Sequence, residues 1–68
     1  MPYINVKVAG KLTMDQKRII ADEISETMLK VTGKPKQSSY IVFDEVSRDN
    51  WAKGADILGD LDRAVEKK

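Results

Sequence analysis

The stretch from Tyr3 to Gly10 reads Tyr-Ile-Asn-Val-Lys-Val-Ala-Gly, and it decides how the rest of the chain can fold. From Ile4 to Val8, apolar side chains occupy every second position. This period of two predicts a β-strand over residues 3–8 that has one apolar face. Gly10 ends the predicted strand.

An amphipathic helix is predicted directly after this strand. Thr13 can cap a free backbone N–H group, and Gln16, three residues later, can reach back to it. Apolar side chains then recur at spacings of three or four residues, which predicts a broad apolar stripe: Ile20, Ile24, Met28 and Val31. Gly33 and Pro35 supply the stop signal.

Residues 40–43 read Tyr-Ile-Val-Phe, which predicts a second strand, buried on both faces. A strand, a helix and a second strand predict an α/β fold with a single β-α-β unit, parallel strands and a right-handed crossover. Residues 46–55 are typical of a loop or small hairpin. Helical spacing over residues 57–65 predicts a short C-terminal helix, weakened by Gly59. Residues 1–68 are expected to form one domain.

The size of the chain predicts an oligomer. A domain of 68 residues leaves much apolar surface in water and usually needs disulfides, a metal or partner chains. The sequence contains no cysteine and no histidine, which excludes disulfides and the usual zinc and haem ligands. The helix would cover one face of a two-stranded sheet, so another subunit is expected to cover the opposite face.

The charge pattern excludes several classes of partner. The net charge is +1 and both signs are interspersed, so no basic block is present to bind nucleic acid. No apolar run is long enough to span a membrane, and the first residues do not resemble a signal peptide. A cytoplasmic protein is expected.

Pro2 is the candidate catalytic residue. Removal of Met1 would expose a secondary amine at the start of the first strand, and an α-amino group titrates near neutrality. Apolar surroundings disfavour the charged form and lower its pKa further. A neutral amine of this kind can act as a general base, or as a nucleophile toward a carbonyl group. Proline at position 2 also occurs without any catalytic role, so the residue alone does not decide the function.

The sequence resembles the 4-oxalocrotonate tautomerase family along almost its whole length. The resemblance is carried by residues 1–8 (Met-Pro-Tyr-Ile-Asn-Val-Lys-Val), 15–17 (Asp-Gln-Lys), 41–46 (Ile-Val-Phe-Asp-Glu-Val) and 49–51 (Asp-Asn-Trp). It implies a β-α-β protomer that dimerises and assembles further, typically into a hexamer. It also implies that Pro2 moves a proton between oxygen and carbon of an enol or dienol.

The chain departs from this family at two substrate-binding positions. Where the best-known members have arginines, an alignment without gaps puts Leu12 and Tyr40, with Lys11 next to the first of them. Lysine is a flexible point charge, whereas arginine grips a carboxylate in two places. Lys11 is the candidate carboxylate or oxyanion partner, and Arg48 or Lys53 could add positive charge. Each of the three could instead be a solvated surface residue. Tyr40 could bind a substrate oxygen or pack at an interface.

Trp51 matches an aromatic residue near the active site of the family. It could form a wall of the pocket, or it could anchor a subunit interface. The leading prediction is therefore a cofactor-independent tautomerase of a small 2-hydroxy-dienoic or 2-oxo acid. Two alternatives stay open: a proline-dependent hydratase of unsaturated acids, and a catalytically silent oligomeric binding protein on the same scaffold. Retention of Met1 would exclude the proline base, because the Pro2 nitrogen would then be an amide.

Overall fold

The computed structural model describes residues 1–66 and contains the predicted β-α-β unit. Strand β1 spans Tyr3–Ala9, helix α1 spans Met14–Thr32 and strand β2 spans Tyr40–Val46. The two strands are parallel and pair without a bulge, from Tyr3 opposite Tyr40 to Ala9 opposite Val46. The predicted order and direction of the strands are confirmed.

Local sequence signals set both ends of α1. The Gln16 N–H donates to Thr13 Oγ1 at 3.1 Å, and the Thr13 N–H donates to Gln16 Oε1 at 2.9 Å. These reciprocal bonds satisfy two of the N–H groups that the first turn of a helix leaves free. At the other end, Gly33 has a φ of 76° and its N–H donates to Leu29 O at 2.8 Å. Since this backbone conformation favours glycine, the helix ends where the sequence predicts.

The two faces of the sheet have different surroundings. Ile4, Ile41 and Phe43 are half-buried on the face that α1 covers. On the other face the side chains of Tyr3, Tyr40 and Val42 are 62%, 56% and 46% exposed. Within a single chain β2 is therefore covered on one face only, and cover of the opposite face by another subunit stays a prediction. We call this second, uncovered side the open face of the sheet.

The C-terminal part is a small hairpin followed by a helix. A 3₁₀ turn at Arg48–Asn50 leads into strands β3 (Ala52–Lys53) and β4 (Asp56–Ile57), which pair antiparallel around a turn that contains Gly54. Helix α2 spans Leu58–Glu66. A second 3₁₀ turn, Lys36–Ser38, lies between α1 and β2. The predicted hairpin and C-terminal helix are both confirmed.

Ion pairs attach α2 to the 3₁₀ turn before the hairpin. Arg48 donates from Nε to Asp62 Oδ2 at 2.6 Å and from Nη2 to Asp62 Oδ1 at 3.0 Å. Arg63 donates from Nη1 to Asp49 Oδ1 at 3.0 Å. The two-pronged contact of Arg48 with Asp62 fixes the direction as well as the distance of the helix.

Gly59 allows this close approach. It lies in the first turn of α2, and a Cβ atom at this position would overlap the carboxylate of Asp49. On intrinsic propensity alone, Gly59→Ala would stabilise the helix by about 1 kcal/mol. Because of the overlap we expect this gain to be lost, since Asp49 must leave its contact with Arg63, an exposed ion pair whose small contribution to stability is at most about as large as the gain.

A double-mutant cycle tests whether Asp49 causes this effect of Gly59→Ala on the melting temperature. In Asp49→Ala protein the obstacle is gone, so a further Gly59→Ala change should raise the melting temperature. Thermal unfolding followed by circular dichroism measures all four proteins. If Gly59→Ala stabilises the protein that retains Asp49, the packing explanation for the glycine is wrong.

The described residues contain no buried hydrophobic side chain. Only Ser25 and Gly59 fall in the buried class, and several large apolar side chains are exposed, including Val31 at 78%. Val31 therefore does not share the half-burial of Ile20, Ile24 and Met28, although the sequence predicts all four in one apolar stripe. The radius of gyration of 16.1 Å exceeds the value of about 11 Å expected for a compact domain of this length. A chain of this shape needs surface from other chains to complete a core.

No helix within residues 1–66 is long and apolar enough to cross a membrane.

Candidate functional site

The candidate site residues lie at opposite ends of the sheet. Because β1 and β2 are parallel, their amino ends share one edge and their carboxyl ends share the other. Pro2 and Tyr40 are at the amino edge, whereas Lys11 and Trp51 follow the carboxyl ends of β1 and β2. Six steps of strand from Tyr3 to Ala9 separate the two edges by about 20 Å. One chain therefore brings Pro2 together with Tyr40, but not with Lys11 or Trp51.

At the amino edge, strand pairing fixes the position of Pro2. The Tyr40 N–H donates to the Pro2 carbonyl oxygen at 2.9 Å, so the residue is held at the start of the parallel ladder. Pro2 is half-buried. Tyr40 stands opposite Tyr3 on the open face, and both rings are largely exposed in the single chain.

At the carboxyl edge, the chain forms a concavity of about 430 Å³. Its lining comes from the loop after β1, the end of β2 and the following turn: Gly10, Lys11, Glu45, Ser47, Arg48 and Asp49. Lys11 lines this concavity, and Leu12 does not. The structure thus settles which of these two neighbouring residues reaches the concave surface.

The cations of this edge differ in how fully they are paired. Arg48 has its Nε and Nη2 groups bound to Asp62, and Nη1 lies 3.5 Å from the Ala9 carbonyl oxygen. Lys11 is exposed and has no carboxylate within 4.0 Å among the side chains of residues 1–65. Lys53, the other candidate cation, lies on β3 outside the lining of the concavity. Lys11 is accordingly the cation at this edge that is available to an added anion.

Glu45 holds the loop that carries Lys11. Its Oε2 atom accepts the Leu12 N–H at 2.8 Å, and its Oε1 atom accepts a proton of Lys17 Nζ at 2.9 Å. The Leu12 N–H, followed by the Lys17 ammonium, holds the pKa of Glu45 below its ordinary value of 4.5. Asp44, the next residue back, points to the open face and pairs with Lys7 at 3.3 Å. The two carboxylates therefore lie on opposite faces, as strand geometry predicts.

Acid should weaken the Glu45 contacts in a defined direction. A carboxyl group whose pKa is lowered by folding stabilises the protein above its unfolded pKa, and this contribution is lost as the pH falls through the folded pKa. We therefore expect Glu45→Gln to lower the melting temperature at neutral pH, and the gap from the wild type to close on the acid side of 4.5. Thermal unfolding of both proteins across this range measures the gap, and other carboxylates affect the two proteins equally. A gap that does not change with pH would contradict the assignment.

Trp51 lies between the 3₁₀ turn and the hairpin. The backbone N–H of Trp51 donates to Arg48 O at 3.3 Å, and its backbone carbonyl oxygen accepts the Leu58 N–H at 2.9 Å, so the backbone is fixed on both sides. The side chain is half-buried, and its Nε1 atom is buried without a hydrogen-bond acceptor among the described residues. An unpaired buried donor costs about 1–3 kcal/mol. An acceptor from outside this chain would remove that cost.

Sequence reasoning named Lys11, Tyr40 and Trp51 as candidate site residues, but it gave Glu45 a surface or interface role and did not place it at the concavity. Its partners, Leu12 and Lys17, are 33 and 28 residues away in the sequence. A signal was nevertheless present, because a carboxylate on the helix-facing side of a strand requires a partner on the helix or its loop.

The sequence of the chain is similar to those of known tautomerases. The sequence model of the family described as "Tautomerase enzyme" matches residues 2–61. The chain is 36% identical to a probable tautomerase of Helicobacter pylori over 64 residues, which cover 90% of this chain and 94% of the relative. It is 27% identical to the 2-hydroxymuconate tautomerase of Bacillus subtilis over 62 residues, which cover 91% of this chain and 100% of the relative.

A solved structure also matches the fold. It comes from a study of trans-3-chloroacrylic acid dehalogenase activity, and it superposes with a TM-score of 0.72 and 26% identity over 84% of this chain and 98% of that one. The resemblance to 4-oxalocrotonate tautomerases predicted from the sequence is confirmed, as is the β-α-β fold class.

Proposed function

The chain belongs to the tautomerase family, and we propose that it is a cofactor-independent isomerase in which the free amine of Pro2 is the general base. The proposed substrate is a small 2-hydroxy-dienoic or 2-oxo acid. The amine removes the proton from the enol hydroxyl oxygen and returns a proton to a carbon of the conjugated system. One O–H bond breaks and one C–H bond forms, so the product is the ketone isomer.

The observation that carries this proposal is the position of Pro2. The Tyr40 N–H bond to its carbonyl oxygen holds the ring at the sheet edge, so its nitrogen has a fixed place once Met1 is removed. Apolar cover from a neighbouring subunit would favour the neutral amine, which is the form that acts as a base. The many relatives named as tautomerases support the same chemistry.

We further propose that each active site is shared between chains. Pro2 and Tyr40 are about 20 Å from the concavity with Lys11, and a single chain cannot join them. A homo-oligomer, built from dimers into a hexamer, would bring the amino edge of one chain to the carboxyl edge of another. Lys11 would then meet the substrate carboxylate or the developing oxyanion, and Trp51 and Tyr40 would form walls.

This arrangement explains how activity could survive without the two family arginines. Leu12 offers only its backbone to Glu45, and Tyr40 offers a phenol in place of a guanidinium. Lys11 supplies one point charge, which can pair with a carboxylate but lacks the two-pronged grip of an arginine. The cytoplasm is the proposed compartment, which the absence of cysteine from the sequence supports.

The test is an assay of protein whose N-terminal mass has been verified by mass spectrometry. Ketonisation of 2-hydroxymuconate and of the enol of phenylpyruvate is followed by absorbance, with buffer as the reference. Acceleration of either reaction by protein lacking Met1 supports the proposal. If protein lacking Met1 accelerates neither reaction, tautomerase activity toward these acids is excluded.

A silent binding protein is the second candidate, and the loss of the arginine positions favours it. It would retain the oligomer and bind a carboxylate without turnover. Calorimetric titration with muconate, combined with the ketonisation assay, separates the two, because a silent scaffold would bind this dicarboxylate but leave the rate of ketonisation at that of buffer.

A further inference from the structure

The carboxylate of Glu45 joins three parts of the molecule. It belongs to β2, it accepts the N–H of Leu12 in the loop after β1, and it accepts a proton from Lys17 in the first turns of α1. The Glu45 and Lys17 side chains are 28% and 23% exposed, which makes this the most shielded ion pair among the side chains of residues 1–65. Shielding from water strengthens a charged hydrogen bond.

The loop between β1 and α1 is anchored on both sides of Lys11. The Gly10 N–H donates to Val46 O at 2.8 Å, which ties the start of the loop to the end of β2. The Leu12 N–H is tied to Glu45, and Thr13 is tied to Gln16 through the helix cap. Lys11 thus sits between two fixed amides, and its long side chain starts from a defined point at the concavity.

Glu45 also lines the concavity, which raises a difficulty for binding an anion there. An unpaired carboxylate would repel a second carboxylate by Coulomb forces. The contacts with the Leu12 N–H and the Lys17 ammonium offset the negative charge of Glu45, so that its carboxylate repels a bound anion less. Among the side chains of residues 1–65, Lys11 has no carboxylate within 4.0 Å, although its Coulomb attraction adds to the lowering of the pKa of Glu45.

We propose that Glu45 is a positioning residue for substrate binding, which holds the loop so that Lys11 faces a carboxylate ligand in the concavity. The proposal rests on the assignment of Lys11 to substrate binding in the proposed function. Glu45 acts through Lys11 and does not touch the reacting atoms. The ligand class is a small mono- or dicarboxylate.

The test measures binding and turnover separately in four proteins: wild type, Glu45→Gln, Lys11→Ala and the double variant. Glutamine keeps the size of the side chain but cannot accept two charge-assisted bonds at once. The dissociation constant for muconate is measured by calorimetry, so this readout does not depend on catalysis. Misplacement of a binding group by about 1 Å can cost up to about a hundredfold, and we expect Glu45→Gln to weaken binding by about tenfold or more.

The double variant distinguishes positioning from a general structural role. If Glu45 acts through Lys11, adding Glu45→Gln to Lys11→Ala should weaken muconate binding little further, because the group being positioned is already absent. In turnover, Glu45→Gln should raise KM for 2-hydroxymuconate much more than it lowers kcat. Hydrogen exchange at the Leu12 amide should be faster in Glu45→Gln, in protein of unchanged assembly mass.

The binding and turnover measurements distinguish failure of the positioning role from failure of the proposed function. Additive losses in the double variant, or an unchanged dissociation constant in Glu45→Gln, would overturn the positioning role. Absence of muconate binding to the wild type would overturn it as well. Muconate binding that depends on Glu45 and Lys11, in a protein without tautomerase activity, would support the positioning role while refuting the proposed function.

Discussion

Replacement of Pro2 by alanine is expected to lower kcat/KM for ketonisation by about a hundredfold or more, within the range of about 10² to 10⁴ that a positioned general base contributes. Alanine retains a primary amine, so some activity should remain. It lacks the ring that fixes the direction of the nitrogen lone pair, and it is a poorer match to the held geometry at the sheet edge. Initial rates on 2-hydroxymuconate, with processed protein of verified mass, measure the loss.

Two controls make this result specific. Pro35→Ala makes the same chemical change between α1 and β2, far from the chain start, and should leave the rate within about twofold, as surface substitutions usually do. The wild-type protein with Met1 retained is the sharper control. Its sequence is otherwise unchanged, but the Pro2 nitrogen is an amide and has no basic lone pair.

The two controls also define the results that would refute the assignment of the Pro2 amine as the general base. If protein with Met1 retained is as active as the processed form, the Pro2 amine is not the base. If Pro2→Ala keeps the full rate while retention of Met1 abolishes it, the proline ring is not needed for catalysis. Either a primary amine at position 2 then serves equally well as the base, or Met1 only blocks access to the site. A loss in both proteins, with normal rates in Pro35→Ala, leaves the proline amine as the base.

The features predicted well from the sequence are those set by near neighbours. The start of α1 depends on Thr13 and Gln16, which are three residues apart, and its end depends on Gly33. Alternation in β1 likewise needs no knowledge of the rest of the chain. Such signals are readable because the bonds they imply form within one turn or one strand.

Features that depend on distant residues were not predicted. The position of Gly59 looks unfavourable in a helix until the hairpin brings Asp49 against it. An alignment could not show which of Lys11 and Leu12 lines the concavity, because the loop is held by Glu45, more than thirty residues later. The exposure of Val42 is a related case: the sequence predicts burial of β2 on both faces, and within one chain only one face is covered.

Val42→Asp is therefore expected to abolish assembly. Val42 lies in the middle of β2 on the open face, opposite Asn5, and is 46% exposed in the single chain. If another subunit covers this face, the substitution buries an unpaired carboxylate two residues from Asp44 on the same face. The effective cost of burying such a charge is several kcal/mol per ion, and in a symmetric oligomer every copy bears it.

The matched control is Val31→Asp. It makes the same change at a residue that is 78% exposed in the last turn of α1. A negative charge there opposes the helix dipole by only about 0.3–1 kcal/mol. Light scattering after size-exclusion chromatography gives the assembly mass of both variants, and circular dichroism gives their helix content. Full-sized assemblies of Val42→Asp, with a wild-type melting temperature, would show that the open face is not a subunit interface.

Loss of assembly should also cost the fold. Within residues 1–65 no hydrophobic side chain is buried, so a separated chain retains little apolar surface to offset the entropy of ordering its backbone. We therefore expect Val42→Asp to lose helix content together with assembly mass, rather than to yield a folded monomer. For the same reason the melting temperature of the wild type should rise with protein concentration, since dissociation and unfolding are one equilibrium. A folded Val42→Asp monomer would instead mean that the β-α-β unit is stable alone, and that assembly is not required for the fold.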